Sequence, residues 1–292
     1  MRNNYWVQID KLKVCYTATD NVISQLKDIK EYVGDGYRLY DIQSEIEGIV
    51  TLAIDILWDD KENEGLRYWR FGYLTIGDTF KDANSNYIWM TIENRMLYEM
   101  FYKSNIIGNN SLQMFSVFIA DDLTLRFNNF TSLHIAVDTD AKDFIKRIRK
   151  YIKKFVPIVA NKAYENKEEI IHNLKYISVG NRLKITNTSV YVDIENAELC
   201  CYNKTEELKE SNKNYIKFDT EKEVTRLEVR LNNKAIKEYI SQRNISLDDL
   251  YHLICQYEDE QTLIDMFQYY SNRLIRFRDD NKNIYSLLEL PR

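Results

Sequence analysis

The chain is poor in the residues that break or bend a backbone: two prolines and eight glycines in 292 residues. No Gly/Ser-rich or Pro-rich linker separates domains. Histidine occurs only at His134, His172 and His252, far apart, so no His-x-His metal pair exists. The four cysteines, Cys15, Cys200, Cys201 and Cys255, lack metal-ligand spacing and read as buried thiols of a reducing compartment. No segment approaches the ~20 apolar residues of a membrane span, and Met1 to Val14 has no apolar run of a signal peptide. A cytoplasmic protein with no membrane partner is expected. A Gly-rich phosphate loop and a Ser/His/Asp set are missing too, so no nucleotide cofactor is expected. Excess positive charge is also lacking. The net charge of −5 argues against a nucleic-acid coat protein but leaves room for a local basic patch.

What is present is an ordinary globular composition, 45% apolar and 29% charged, with ample material for a core. Strand-like stretches recur at Trp6–Asp10 and Leu12–Tyr16, Val50–Leu57, Tyr68–Ile76 and Asn86–Ile92, the last followed by a short apolar helix. A turn is expected at Asn109–Ser111. Leu123–Phe127 and Leu133–Asp138 read as two strands around Asn128-Asn129. Further strands are expected at Tyr176–Val179, Leu183–Ile185, Val190–Val192, Leu199–Tyr202 and Val224–Leu231, with a tight turn at Gly180-Asn181. Helices finish the chain: one from near Asn233, one capped by Ser246 with Asp249, and one from Leu263 to Phe277. Strands in runs rather than in alternation with helices predict an α+β fold, with antiparallel sheet and flanking helices. Two halves, residues 1–118 and 119–292, are expected. A weak echo of Thr51–Ile56 in Ser132–Asp138, and of Trp89–Arg95 in the Thr225–Leu231 strand, suggests that both are sheet-plus-helix units of one kind.

The second half concentrates the chemistry. Asp140 is expected to start a helix with Asp143 as a capping-box partner, its apolar face being Phe144, Ile145, Ile148, Ile152 and Phe155. The opposite face carries Lys142, Lys146, Arg147, Arg149, Lys150, Lys153 and Lys154, a cluster of the kind that contacts phosphates or simply faces solvent. In Thr225–Leu231 the side chains of Arg226, Glu228 and Arg230 alternate with Leu227, Val229 and Leu231, so each set takes one face of a strand. The strand before it delivers Tyr202 and Lys204, with Glu207 beyond.

This order — a strand ending in Asp138, a helix, Tyr202-Asn203-Lys204 with Glu207, then Arg226-Leu227-Glu228-Val229-Arg230-Leu231 — resembles the trans-acting rolling-circle replication initiators of plasmids and phages and the related relaxases of integrative elements. The resemblance covers roughly residues 120–235. It implies site-specific nicking of one strand of origin DNA, with Tyr202 as nucleophile and a 5′-phosphotyrosyl intermediate. It further implies Mg²⁺ or Mn²⁺ on Asp138 and Glu228, and Lys204, Arg226 and Arg230 on flanking phosphates, Lys204 also lowering the phenol's pKa. Lys146, Arg147, Lys150 and Lys153 would bind DNA, a host helicase would be recruited, and a homodimer is common among such proteins. One departure is the acidic turn Asp193–Glu198, where a small basic turn is expected. Each residue also has a plain alternative. Tyr202 can be a packed tyrosine, Asp138 a strand-end turn residue, and Glu228 an ion-pair partner of Arg226 or Arg230. A non-enzymatic DNA-binding or regulatory protein on the same scaffold is the rival reading.

Overall fold

The computed structural model describes residues 5–43, 48–60, 65–77, 86–102, 112, 116–141, 143–165, 176–178, 181–185, 189–211, 223–256 and 259–289. In chain order the elements are β1 (Tyr5–Thr17), α1 (Asp20–Asp28), β2 (Glu31–Val33), β3 (Tyr37–Asp41), β4 (Val50–Asp60), β5 (Gly65–Ile76), β6 (Tyr87–Ile92), α2 (Asn94–Tyr102) and α3 (Phe118–Asp122). Then follow β7 (Arg126–Thr139), α4 (Phe144–Lys154), β8 (Val156–Val159), β9 (Lys162–Ala163), β10 (Tyr176–Ser178), β11 (Asn181–Ile185), β12 (Ser189–Ile194), β13 (Ala197–Asn203), α5 (Lys204–Glu210) and β14 (Thr225–Asn232). The chain continues with α6 (Asn233–Arg243), α7 (Leu247–Tyr251), a π-helical turn at His252–Gln256, α8 (Glu260–Leu274), β15 (Ile275–Arg278) and β16 (Ile284–Ser286). The fold is mixed α+β with a large antiparallel sheet, a second small sheet and helices toward the C-terminus, as the runs of strands predict. Among the described residues no helix is long and apolar enough to cross a membrane.

Two compact units emerge, each assembled from separate stretches of chain. The first comprises residues 1–10, 134–239 and 260–292; the second comprises 11–133 and 240–259. A single boundary at residue 118 does not describe them, because β1 and β7 each contribute one end to each unit. In the first unit the strand order runs β10-β11-β12-β13-β14-β7-β1, so Leu133–Asp138, Leu199–Tyr202 and Val224–Leu231 lie on neighbouring strands, as expected. Leu199, Cys201, Leu227, Val229, Leu231, Ile135 and Val137 are buried on one side of it. A small sheet, β16-β15-β8-β9, belongs to the same unit. The helix α8 packs on this unit through Leu263, Met266, Phe267, Tyr270 and Leu274, spaced to share one helix face.

The second unit has the order β2-β3-β4-β5-β6-β1. Leu52, Ile54, Leu74, Ile76, Ile88 and Met90 bury one face of that sheet together with Ile23 and Leu26 of α1 and Met96 and Leu97 of α2. The two units share part of their element order, although other strands and, in the first unit, α5 intervene. Each unit has a strand leading into a helix, then a hairpin (β4-β5 or β12-β13), then a strand that runs into a helix (β6-α2 or β14-α6). Trp89–Arg95 and Thr225–Leu231 occupy matching places in that order. Thr51–Ile56 and Ser132–Asp138 do not, since the first lies in the hairpin and the second in the strand before the helix.

Several local expectations are corrected. Asn128 and Asn129 make no turn; β7 runs straight through them, with the Asn128 amide donating to Cys15 Sγ at 3.7 Å. Helix α4 begins at Phe144, not Asp140. Asp143 is its N-cap residue in the left-handed region (φ 55°) with no capping bond from its side chain, which accepts from Lys146 Nζ at 2.7 Å instead. The last helix stops at Leu274, and Ile275–Arg278 turn into β15 because they pair with β8 and β16. The Ser246–Asp249 capping box is formed as the spacing predicts. The turns expected at Asn109–Ser111 and at Gly180-Asn181 fall partly or wholly outside the described residues, as does Lys142.

Candidate active site

In the first unit, alternation along four strands puts polar side chains on one face of the sheet. The β13–β14 register pairs Tyr202 with Arg226, Cys200 with Glu228 and Glu198 with Arg230, so all six point the same way. In β7 the i, i+4 spacing places His134 and Asp138 together, with apolar Leu133, Ile135 and Val137 on the other face. In β1 Gln8 and Asp10 share a side by the same parity.

Glu228 is the hub. Its Oε1 accepts from Arg230 Nε and contacts His134 Nδ1, both at 2.8 Å. Its Oε2 accepts from the Tyr202 hydroxyl at 3.2 Å and from Arg230 Nη2 at 3.3 Å. Burial alone would raise the Glu228 carboxyl, but the hydrogen bonds of His134 and Arg230 outweigh it and hold the group well below the usual carboxylate range. Arg230, half-exposed, also reaches Glu198 Oε2 at 3.1 Å.

A second cluster adjoins the hub. Arg226, 1% exposed, forks onto the fully buried Asp138 with Nε–Oδ1 and Nη2–Oδ2 both 2.7 Å, and its Nη1 pairs with Asp10. Gln8 Nε2 donates to Asp138 Oδ2 at 3.0 Å. Burial would lower the Arg226 pKa, but Asp138 and then Asp10 keep it well above its ordinary value. Both Asp138 oxygens are therefore committed to protein donors.

The residues read from the sequence thus share a face but not the expected division of work. Asp138 does not join the group able to hold an ion; Asp10, His134 and Glu228 do, each offering one ligand atom, all within 4.8 Å of one another. Arg226 is too deeply buried to grip an external phosphate. Lys204 is not on the strand at all. It opens α5, is 3% exposed, and pairs with Glu207 Oε2 at 2.7 Å. Nor does it make the phenol acidic. Burial drives the Tyr202 pKa far above the ordinary tyrosine value, Arg226 opposing and Glu228 reinforcing it, while burial and then Arg226 lower that of Lys204. Lys204 Nζ stands 5.7 Å from the centre of the Tyr202 ring. Arg230, partly accessible, is the cation of this strand that remains near the surface. On α4, Lys146, Lys150 and Lys153 are exposed and Arg147 is partly so, with its guanidinium 5.1 Å from the Phe144 ring. The charge of Glu223, just before β14, reaches Lys146 and helps to raise its pKa after the larger effect of Asp143.

Gln8, Asp10 and His134 are the site residues that sequence reasoning passed over. His134 was legible, since it shares strand parity with Asp138. Gln8 and Asp10 lie over 120 residues away from their partners, and only strand pairing brings them in.

No protein-family model matches the chain, and no curated protein matches it.

Proposed function

We propose that the chain is a DNA-nicking replication initiator or relaxase of the rolling-circle kind, with Tyr202 as the nucleophile. The observation that carries this reading is the Tyr202 hydroxyl donating to Glu228 within a ring of Asp10, His134 and Arg230. A phenol that attacks a phosphodiester needs an acceptor for its proton and a cation near the developing charge, and this face supplies both. The Tyr202 oxygen forms the bond to the 5′ phosphate and the bond to the 3′ oxygen breaks, leaving a 3′ hydroxyl. Glu228 Oε2 accepts the hydrogen bond that orients the phenol, and the phenolic proton ends on the departing 3′ oxygen, so the step balances. Burial keeps the phenol protonated in the resting protein, so it does not ionise before DNA arrives. Arg230 is placed to face the incoming phosphate.

Asp10, His134 and Glu228 are near enough to one another to share a Mg²⁺ or Mn²⁺ through two hard carboxylates and one imidazole, an ion there replacing the contacts of Glu228 with His134 and Arg230; Asp138 lies outside that group. A bound ion would supply Lewis-acid polarisation of the scissile phosphate. The exposed lysines of α4 supply sequence-independent phosphate contacts. An initiator of this kind acts on origin DNA in the cytoplasm, with a host helicase and as a homodimer.

Binding without cleavage is the second reading. It is favoured by the burial of Tyr202 and by the acidic strand ends at Asp193 and Glu198. The deciding experiment incubates the protein and its Tyr202→Phe variant with a supercoiled plasmid bearing the cognate origin and Mn²⁺. Nicked circles carrying covalent protein, absent for Tyr202→Phe, support the enzyme. A mobility shift without any adduct supports the binder.

A further inference from the structure

The second unit carries, on the sheet face opposite its apolar core, a run of flat cations and rings that the proposed nicking chemistry does not use. Strand register places Arg38, Asp55 and Arg70 in one row across β3, β4 and β5, and Tyr40, Ala53 and Tyr73 in the next. Asp55, 5% exposed, accepts from Arg38 Nη2 at 2.9 Å and Nε at 3.2 Å, and from Arg70 Nε at 2.7 Å. Held from below, the two guanidiniums interleave with tyrosines. Arg70 lies 5.1 Å from the Tyr73 ring and 5.4 Å from that of Tyr40; Arg38 lies 5.3 Å from Tyr40 and 4.4 Å from Tyr68. The result is a ladder, Tyr73–Arg70–Tyr40–Arg38–Tyr68. Its outer rung, Tyr68, is 38% exposed, and about a third of each arginine side chain is open to solvent. On β1 of the same face, Lys13 Nζ stands 5.9 Å from the ring of Trp89 on β6. A bulge in the β4–β5 pairing between Ile54 and Asp55 re-aims these side chains, and Gly72 there is obligatory because a Cβ would collide with the Thr91 carbonyl.

A buried aspartate is satisfied by one forked arginine. Here two share it, with Glu31 near Arg38 and Glu93 bonded to Tyr73, so the face offers cations and rings held in a fixed array, with carboxylates beside them. We propose that this face binds single-stranded DNA, with bases stacked on the exposed rings and guanidiniums and phosphates drawn to Arg38, Arg70 and Lys13. Interleaved rings and cations suit a strand whose bases present their π-faces, and a duplex hides those faces. The choice of DNA over RNA rests on the nicking function proposed above, since cleavage and displacement release one strand. Asp55 is a positioning residue that fixes the ladder.

The test is fluorescence anisotropy of a labelled oligo-dT with the full chain, repeated in a Lys146→Glu/Lys150→Glu/Lys153→Glu background that removes the α4 contribution. Tyr68→Ala is expected to weaken binding about tenfold in both backgrounds, and Tyr68→Phe to leave it unchanged. Lys13→Gln is expected to reduce the log–log salt slope by about 0.7, the value of one phosphate contact on a single strand. Tyr202→Phe should bind oligo-dT as wild type does, so loss of the covalent adduct and loss of this platform are read separately. Tyr68→Ala with native circular dichroism and unchanged affinity overturns the proposal. So does equal affinity for the matching duplex, or tighter binding of the corresponding ribo-oligonucleotide.

Discussion

Removing Asp138 separates a structural carboxylate from a metal ligand. In the fold it is fully buried and accepts hydrogen bonds from Gln8 and, through both oxygens, from an arginine that is itself 1% exposed. Asp138→Ala would leave the Arg226 guanidinium with only Asp10, which is partly solvent-exposed, and would strand the Gln8 amide. Breaking a buried pair from one side costs about 3–5 kcal/mol, against roughly 5–15 kcal/mol for a whole domain. The expected result is a large drop in the urea midpoint, with or without divalent metal. The double variant Asp138→Leu/Arg226→Met removes both charges and should recover much of the loss, because replacing a buried ion pair with apolar groups is often near neutral. The two single losses would then not add, giving a coupling of about 1–3 kcal/mol in a double-mutant cycle. An Asp138→Ala protein within about 1 kcal/mol of wild type, but unable to respond to Mn²⁺, would refute the reasoning and return Asp138 to the metal.

Asp10→Asn and His134→Gln are each expected to abolish any rise of the melting temperature with Mn²⁺, because ligand binding to the native state is what produces it; a rise that persists in both would remove this trio as the ion site. Glu228 has its pKa depressed in the folded state, so its contribution is full above the unfolded value of about 4.3 and is lost as pH falls below it. Glu228→Gln should therefore flatten the acid limb of a stability–pH profile, and an unchanged limb would contradict the hydrogen-bonded carboxylate. Charge reversal at the exposed Lys146, Lys150 and Lys153 should alter stability by no more than about 0.5 kcal/mol per site yet reduce the salt slope of duplex binding by about 0.9 per lost phosphate contact. Equal slopes in a filter-binding titration would make this an ordinary solvated face.

Strict alternation in Thr225–Leu231 was enough to place Arg226, Glu228 and Arg230 on one face and the leucines and valine in the core, because strand parity is a local property. The Ser246–Asp249 cap and the buried stripe of α4 were legible for the same reason. Partner choice was not. Whether Glu228 meets Arg226 or Arg230 depends on side-chain direction, and the fold gives it Arg230 while Asp138 takes Arg226. Lys204 reads as the next residue of a strand, yet Asn203 caps α5 and turns it inward. Tyr202 reads as a phenol made acidic by Lys204, yet burial on the polar face of β13 pushes its pKa up rather than down. Local pattern carried the α+β class and the parity of side chains along each strand, but it passed over α1, β2, β3, β8, β9, α5, β15 and β16, short elements that hold their shape by pairing and packing with distant chain. That Asp10 and His134, not Asp138, stand beside Glu228 was not legible, because those contacts span 94 residues or more and are made by the pairing of β1, β7 and β14.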